Sequence, residues 1–135
     1  MVNRRALMAT AVGMGALMLS GCVPWSTQGR VNRAAESVGG VESSELEVGR
    51  GGSFSPQITG RIHCAVGASE LEDVLDAAWE QVVTALREME GGEREVGSVA
   101  AVGDDGSELG VSRWIPPEER NYIAVAHFFE RYGLE

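Results

Sequence analysis

At 135 residues the chain has room for one domain, and 44% hydrophobic with 23% charged residues is an ordinary globular composition. Its formal charge is −9, with 20 acidic residues against 11 basic ones. A surface that acidic repels phosphate backbones and argues against nucleic-acid binding. Every basic residue is an arginine and none is a lysine, which points to a GC-rich genome and says nothing of function.

The first 22 residues read MVNRRALMATAVGMGALMLSGC. Arg4 and Arg5 make a short positive start, and Ala6 to Leu19 is an uncharged run of 14 residues. That run is shorter than the roughly 20 helical residues needed to cross a bilayer core, so it reads as a removable export signal. The signal ends in Leu19-Ser20-Gly21-Cys22, which resembles the bacterial lipobox. The resemblance implies a diacylglycerol joined by thioether to Cys22 and cleavage between Gly21 and Cys22. Two acyl chains at ~0.8 kcal/mol per buried methylene make a stable anchor without help from the protein. Asn3-Arg4-Arg5-Ala6-Leu7-Met8 also resembles a twin-arginine motif, so the general and twin-arginine export routes both stay open. Without residues 1–21 the chain keeps nine arginines against 20 acids, a charge of −11.

Residues 22–40 have little hydrophobic periodicity and many small polar side chains, the pattern of a flexible tether behind the lipidated cysteine. Trp25 fits either a lipid interface or an exposed tether. A strand is expected over Val41 to Val48, with Leu46 and Val48 opposite Glu45 and Glu47. Gly49 to Gln57 is a loop by its Gly, Ser and Pro content. Ile58 to Val66 alternates as a half-buried strand, with Ile58, Gly60, Ile62 and Cys64 inward and Thr59, Arg61 and His63 outward.

Ser69 to Glu72 fits a capping box, and Leu71, Val74, Leu75, Ala78, Trp79, Val82, Val83, Leu86 and Met89 recur as one helical stripe until Gly91-Gly92. Glu95 to Val102 and Ser107 to Trp114 flank a Gly-Asp-Asp-Gly turn as two further strands. On the first of these, Val99 and Ala101, or else Val96, Ala100 and Val102, face inward. Pro116-Pro117 opens a last helix whose apolar face carries Tyr122, Val125, Ala126, Phe129 and Tyr132.

The expected fold is therefore α+β: a four-stranded antiparallel sheet with two helices packed on one face, in the order ββαββα, behind a signal peptide and a flexible tether. Residues 1–21 would be the signal, 22–40 the lipidated cysteine and tether, and 41–135 the domain.

Candidate chemistry is thin. Lipidation takes Cys22 out of disulfide chemistry and leaves Cys64 as a buried, inert thiol on the core side of its strand. His63 points the other way, which argues against a Cys-His dyad. Arg120, His127 and Arg131 share the polar side of the expected last helix and read as solvated. Two histidines on different elements make no metal site, and Asp104, Asp105 and Glu108 lack the spacing of a calcium loop. Asp76 and Glu80 read as exposed acids. There is no nucleophile elbow, phosphate loop or Cys-x-x-Cys, and no cofactor is expected.

One surface remains as a candidate. If both helices cover one sheet face, the other carries Arg61, His63 and Trp114, unless Trp114 tucks under the tether or last helix. The chain as a whole looks like small lipoproteins of GC-rich, actinobacterial-type bacteria, and its residues assign no domain family. The expectation is a non-enzymatic binding or accessory module of the cell envelope. It would sit on the extracytoplasmic face of the membrane through Cys22, with an envelope protein as the expected kind of partner. A small envelope enzyme and a plain spacer are the alternatives.

Overall fold

The computed structural model describes residues 26–50 and 56–134. The chain runs α1 (Thr27–Glu36), β1 (Val41–Arg50), β2 (Pro56–Cys64), α2 (Ala68–Glu90), β3 (Glu95–Val102) and β4 (Glu108–Gly110). Three single 3-10 turns come next, at Val111–Trp114, Pro117–Glu119 and Val125–Phe128, and then a one-turn helix α3 (Phe129–Tyr132).

The strands lie in the order β1-β2-β3-β4. β1 pairs antiparallel with β2, and β3 with β4, but β2 and β3 are parallel. The sheet is thus mixed, which corrects the antiparallel expectation. The cause is α2: 23 residues of helix carry the chain about 34 Å back along the sheet, so β3 starts at the end where β2 started.

The stripe on α2 is the centre of the core. Leu71, Leu75, Ala78, Trp79, Val82, Val83 and Leu86 are all buried, against Leu46, Ile58, Ile62 and Cys64 from the sheet. Trp79 meets Phe128 edge-to-face at 5.4 Å. Gly60 leaves no room for a side chain: at φ 134° a Cβ there would lie 2.2 Å from the Glu45 carbonyl oxygen.

On β3 the reading with Val99 and Ala101 inward holds, and of the other set Val96 is buried while Ala100 and Val102 are half-buried. The register slips between the Ile58↔Val96 and Gly60↔Val99 pairs, so Gly97 and Ser98 together oppose Thr59. This bulge switches the alternation in mid-strand, which is why no single period fits the sequence.

Two further corrections concern helices. The stretch expected to be a tether contains α1, with Val31 and Ala35 fully buried. The expected last helix is mostly absent: Tyr122 and Ala126 are exposed, while Ile123, Ala124, Val125 and Phe128 are buried. Ile123 and Ala124 are instead extended against the start of β3, with Val96 N donating to Ile123 O at 2.7 Å and, where the 3-10 turn begins, Val125 N to Arg94 O at 2.9 Å. Backbone groups used in that pairing are lost to a helix, and β-branched Ile123 suits an extended chain. The observed order is αββαββ with a terminal helical turn, not ββαββα.

α1 runs along the outer edge of β1. Gln28, Asn32 and Glu36 recur every fourth residue, so they share one helix face. Their side chains meet alternate residues of β1: Val48 N donates to Gln28 Oε1 (3.2 Å), Leu46 N to Asn32 Oδ1 (2.8 Å) and Ser44 N to Glu36 Oε2 (3.0 Å). Asn32 Nδ2 in turn donates to Leu46 O at 2.9 Å. Its carboxamide therefore does for Leu46 what a residue of a neighbouring strand would do. Four helical residues advance about 6.0 Å and two strand residues about 6.7 Å, a mismatch that side chains of this length absorb. An edge strand that would template aggregation is closed by side chains.

Candidate functional site

The face of the sheet opposite α2 is formed by outward residues of all four strands. Arg61 and His63 stand on β2, beside Glu45 on β1 and Glu108 on β4. Arg61 lies 3.4 Å from Glu108 and His63 Nε2 lies 3.0 Å from Glu45 Oε1. Between these pairs the face is small: Ala100 neighbours Arg61, and Gly110 neighbours Ala100. The Arg61 side chain is 58% exposed, so its ion pair is screened and holds little beyond orientation. Arg61 and His63 are thus each presented beside one carboxylate.

Trp114 is elsewhere. It packs against the margin of the core from its 3-10 turn, with the Arg131 guanidinium over its ring at 4.2 Å. Arg131 forms a bidentate pair with Asp76 on α2, Nε to Oδ1 at 3.0 Å and Nη2 to Oδ2 at 2.9 Å. Tyr132 Oη donates to the same Asp76 Oδ1 at 2.8 Å. Arg61 and His63 therefore share a surface, and Trp114 belongs to a second cluster that fastens the C-terminal segment to α2.

The electrostatics of that cluster fit a latch. Burial alone raises the Asp76 carboxyl, but hydrogen bonds from Arg131 and Tyr132 and the arginine's charge outweigh it and hold the pKa below the ordinary value. Burial and the neighbouring carboxylate push the Tyr132 hydroxyl well up, so it stays protonated as a donor. Both changes stabilise the pairing observed, and neither creates a poised acid or base.

The remaining candidates are engaged in structure. Asp105 Oδ1 accepts from Ser107 Oγ at 2.7 Å and from Ser107 N at 3.1 Å, while its Oδ2 accepts from Ala68 N at 3.1 Å. These bonds lower its pKa to about 2. Asp105 thereby caps α2 from a turn 37 residues away, in place of the expected Ser69 box. Among the described residues no group of acids, histidines or cysteines is arranged to hold a metal. Burial pushes the Cys64 thiol up, consistent with an inert side chain.

Arg120 and His127 do not join Arg131 on one helix face. Arg120 Nε donates to Ile115 O, and His127 Nδ1 accepts from Ala124 N. Gly21 and Cys22 lie outside the described residues. No family model matches the chain, and no curated protein matches it significantly. Function must therefore be read from the residues themselves.

Sequence reasoning missed Asp76 with Arg131 and the α1 ladder. Gln28, Asn32 and Glu36 at four-residue spacing was the available signal, and it is visible only to a search for polar periodicity.

Proposed function

We propose that the chain is an extracytoplasmic lipoprotein, held on the cell membrane by diacylglycerol on Cys22, whose folded part is a binding or accessory module of the envelope. The observation that carries this is the Leu19-Ser20-Gly21-Cys22 sequence closing an uncharged 14-residue run, Ala6 to Leu19, with two arginines before it. Among the described residues no helix is long and apolar enough to cross a membrane. The open sheet face, with Arg61 beside Glu108 and His63 beside Glu45, supports a partner-binding role, because polar pairs around small residues can form the rim of a protein contact.

The anchoring is tested by Cys22→Ser and cell fractionation, with mass spectrometry of the mature N-terminus. The wild-type chain should carry a diacylglyceryl cysteine, and the variant should accumulate as precursor or leave the membrane fraction. Equal retention of a processed variant lacking lipid would overturn the reading. For the module, intact lipoprotein is used for capture from membranes beside the double variant Arg61→Glu, His63→Glu. An envelope protein recovered with the first and lost with the second is the expected result. Identical recoveries would remove the open face from the proposal.

A further inference from the structure

The two ends of the sheet differ in charge and in distance from Cys22. One end gathers the start of α1, the end of β1, the start of β2, the end of α2 and the start of β3, tied together by Arg94. Its guanidinium pairs with Glu90 of α2 through Nη2 at 2.9 Å and donates to Gln57 O at 3.0 Å and Gly49 O at 3.3 Å. The other end holds the start of α2 and the β3–β4 turn, joined through Asp105 and through Asp104 N donating to Val66 O. The length of α2 separates them by about 34 Å.

α1 begins at the first of these ends. Ser26 caps it, accepting from Gly29 N at 2.9 Å, and Val31 is already fully buried. Only residues 23–25 separate Ser26 from Cys22. Four steps of extended chain reach about 14 Å at most. A lipid on Cys22 therefore keeps this near end close to the bilayer surface, while the far end is more than twice that reach away along α2.

Two independent features agree with this placement. Tyr122 is the one large hydrophobic side chain exposed among the described residues, at 52%, and it lies at the near end with its hydroxyl 3.5 Å from Glu93 O. Aromatic side chains with a polar tip favour the membrane interface. Both ends carry acids, but the far end carries more: Glu70, Glu72, Asp73, Asp104, Asp105 and Glu108 against Arg61 and Arg113. The near end has Glu88, Glu90, Glu93 and Glu95 against Arg87 and Arg94, so an anionic bilayer repels the far end more strongly.

We infer that the near end is a docking surface for the lipid bilayer itself, so that the domain stands in one orientation with its acidic far end outward and its open face to the side. This rests on the anchoring reading above.

The test uses full-length lipidated protein in vesicles of phosphatidylethanolamine and phosphatidylglycerol containing a headgroup-nitroxide lipid. A fluorophore is placed on Glu93→Cys at the near end or on Asp104→Cys at the far end; both positions are exposed, and Cys64 is buried. Quenching should be several-fold stronger at residue 93 than at residue 104. Adding Tyr122→Ser should weaken the quenching at 93, and a long Gly-Ser insertion before Ser26 should equalise the two sites. Equal quenching in vesicle-bound protein of native length would overturn the orientation while leaving the anchor standing. If the protein does not float with the vesicles at all, the anchoring fails, and the orientation with it.

Discussion

α1 and α2 both flank the sheet, yet they are held by different forces. α2 lays seven fully buried side chains across the core face, from Leu71 to Leu86. α1 buries only Val31 and Ala35, and directs its polar side chains to the backbone of β1. What holds α2 is mainly apolar area removed from water, about 1.5–3 kcal/mol for each large side chain. What holds α1 is the satisfaction of an edge that would otherwise expose a row of donors and acceptors. A helix can therefore be integral to a fold on a narrow apolar contact, here Val31 and Ala35, provided a strand edge also needs what its polar face offers.

Substitutions sharpen the contrast. The largest effect is expected from Trp79→Ala, which opens a cavity at the centre of the α2 stripe and should cost about 3–5 kcal/mol in urea unfolding. Trp79→Phe should cost far less than truncation, because the buried indole N–H has no acceptor and its removal relieves that penalty. A cost for Trp79→Phe equal to that of Trp79→Ala would show that the N–H is satisfied after all.

Next is Asn32→Ala, which leaves the part-buried N–H and C=O of Leu46 without partners and should cost about 2–3 kcal/mol. Hydrogen exchange gives the sharper reading: the Leu46 amide should lose protection while amides of α2 keep theirs. Asn32→Asp keeps the acceptor for Leu46 N, so that amide should stay protected. Parallel loss of protection across α1 and α2 would break the distinction between the two helices.

Asp76→Asn should cost only about 1 kcal/mol, because the Arg131 pair is one-third exposed and solvent screens it. Its pKa is lowered in the fold, so its contribution is complete above about pH 4 and fades as pH falls through the folded value. The wild-type chain should lose its margin over the variant as pH falls below about 4. A margin that grows on acidification would contradict the latch.

The smallest effect is that of Asp105→Asn. With the folded pKa at about 2 against an ordinary 3.8, the Asp105 cap holds above pH 4 and is lost between pH 4 and pH 2. The variant should be slightly less stable than wild type at pH 7 and should converge with it by pH 2, so that its stability is flatter across that window. A stability curve identical to wild type between pH 4 and pH 2 would show that α2 does not depend on this cap.

What was legible in the sequence divides along the same line. Strands β1 and β2, and the long helix α2, arise from apolar periodicity, and their inward residues are where the alternation put them. β3 defied a single period because the Gly97–Ser98 bulge changes its phase. The last helix failed because Ile123 and Ala124 have a strand to pair with, and tertiary hydrogen bonds overrode an apolar spacing that suits a helix. The parallel β2–β3 pair was implied by the length of α2, which returns the chain to its starting end. Of the candidate surface, Arg61 and His63 stand together as their shared parity required. Trp114 does not join them, since the chain leaves the sheet after Gly110 and turns at Val111.

The ladder on β1 also has a mechanical meaning. With lipid on Cys22, any pull between membrane and domain enters the fold at Thr27 and meets the Gln28–Val48 bond before the Asn32 and Glu36 contacts. That first rung is the longest of the series, at 3.2 Å. Load would reach the rungs one after another, as in opening a zip, rather than all together as in sliding two strands past each other. Force on the anchor would then uncover the edge of β1 from the Val48 end while Leu75 and Trp79 still hold α2 on the sheet.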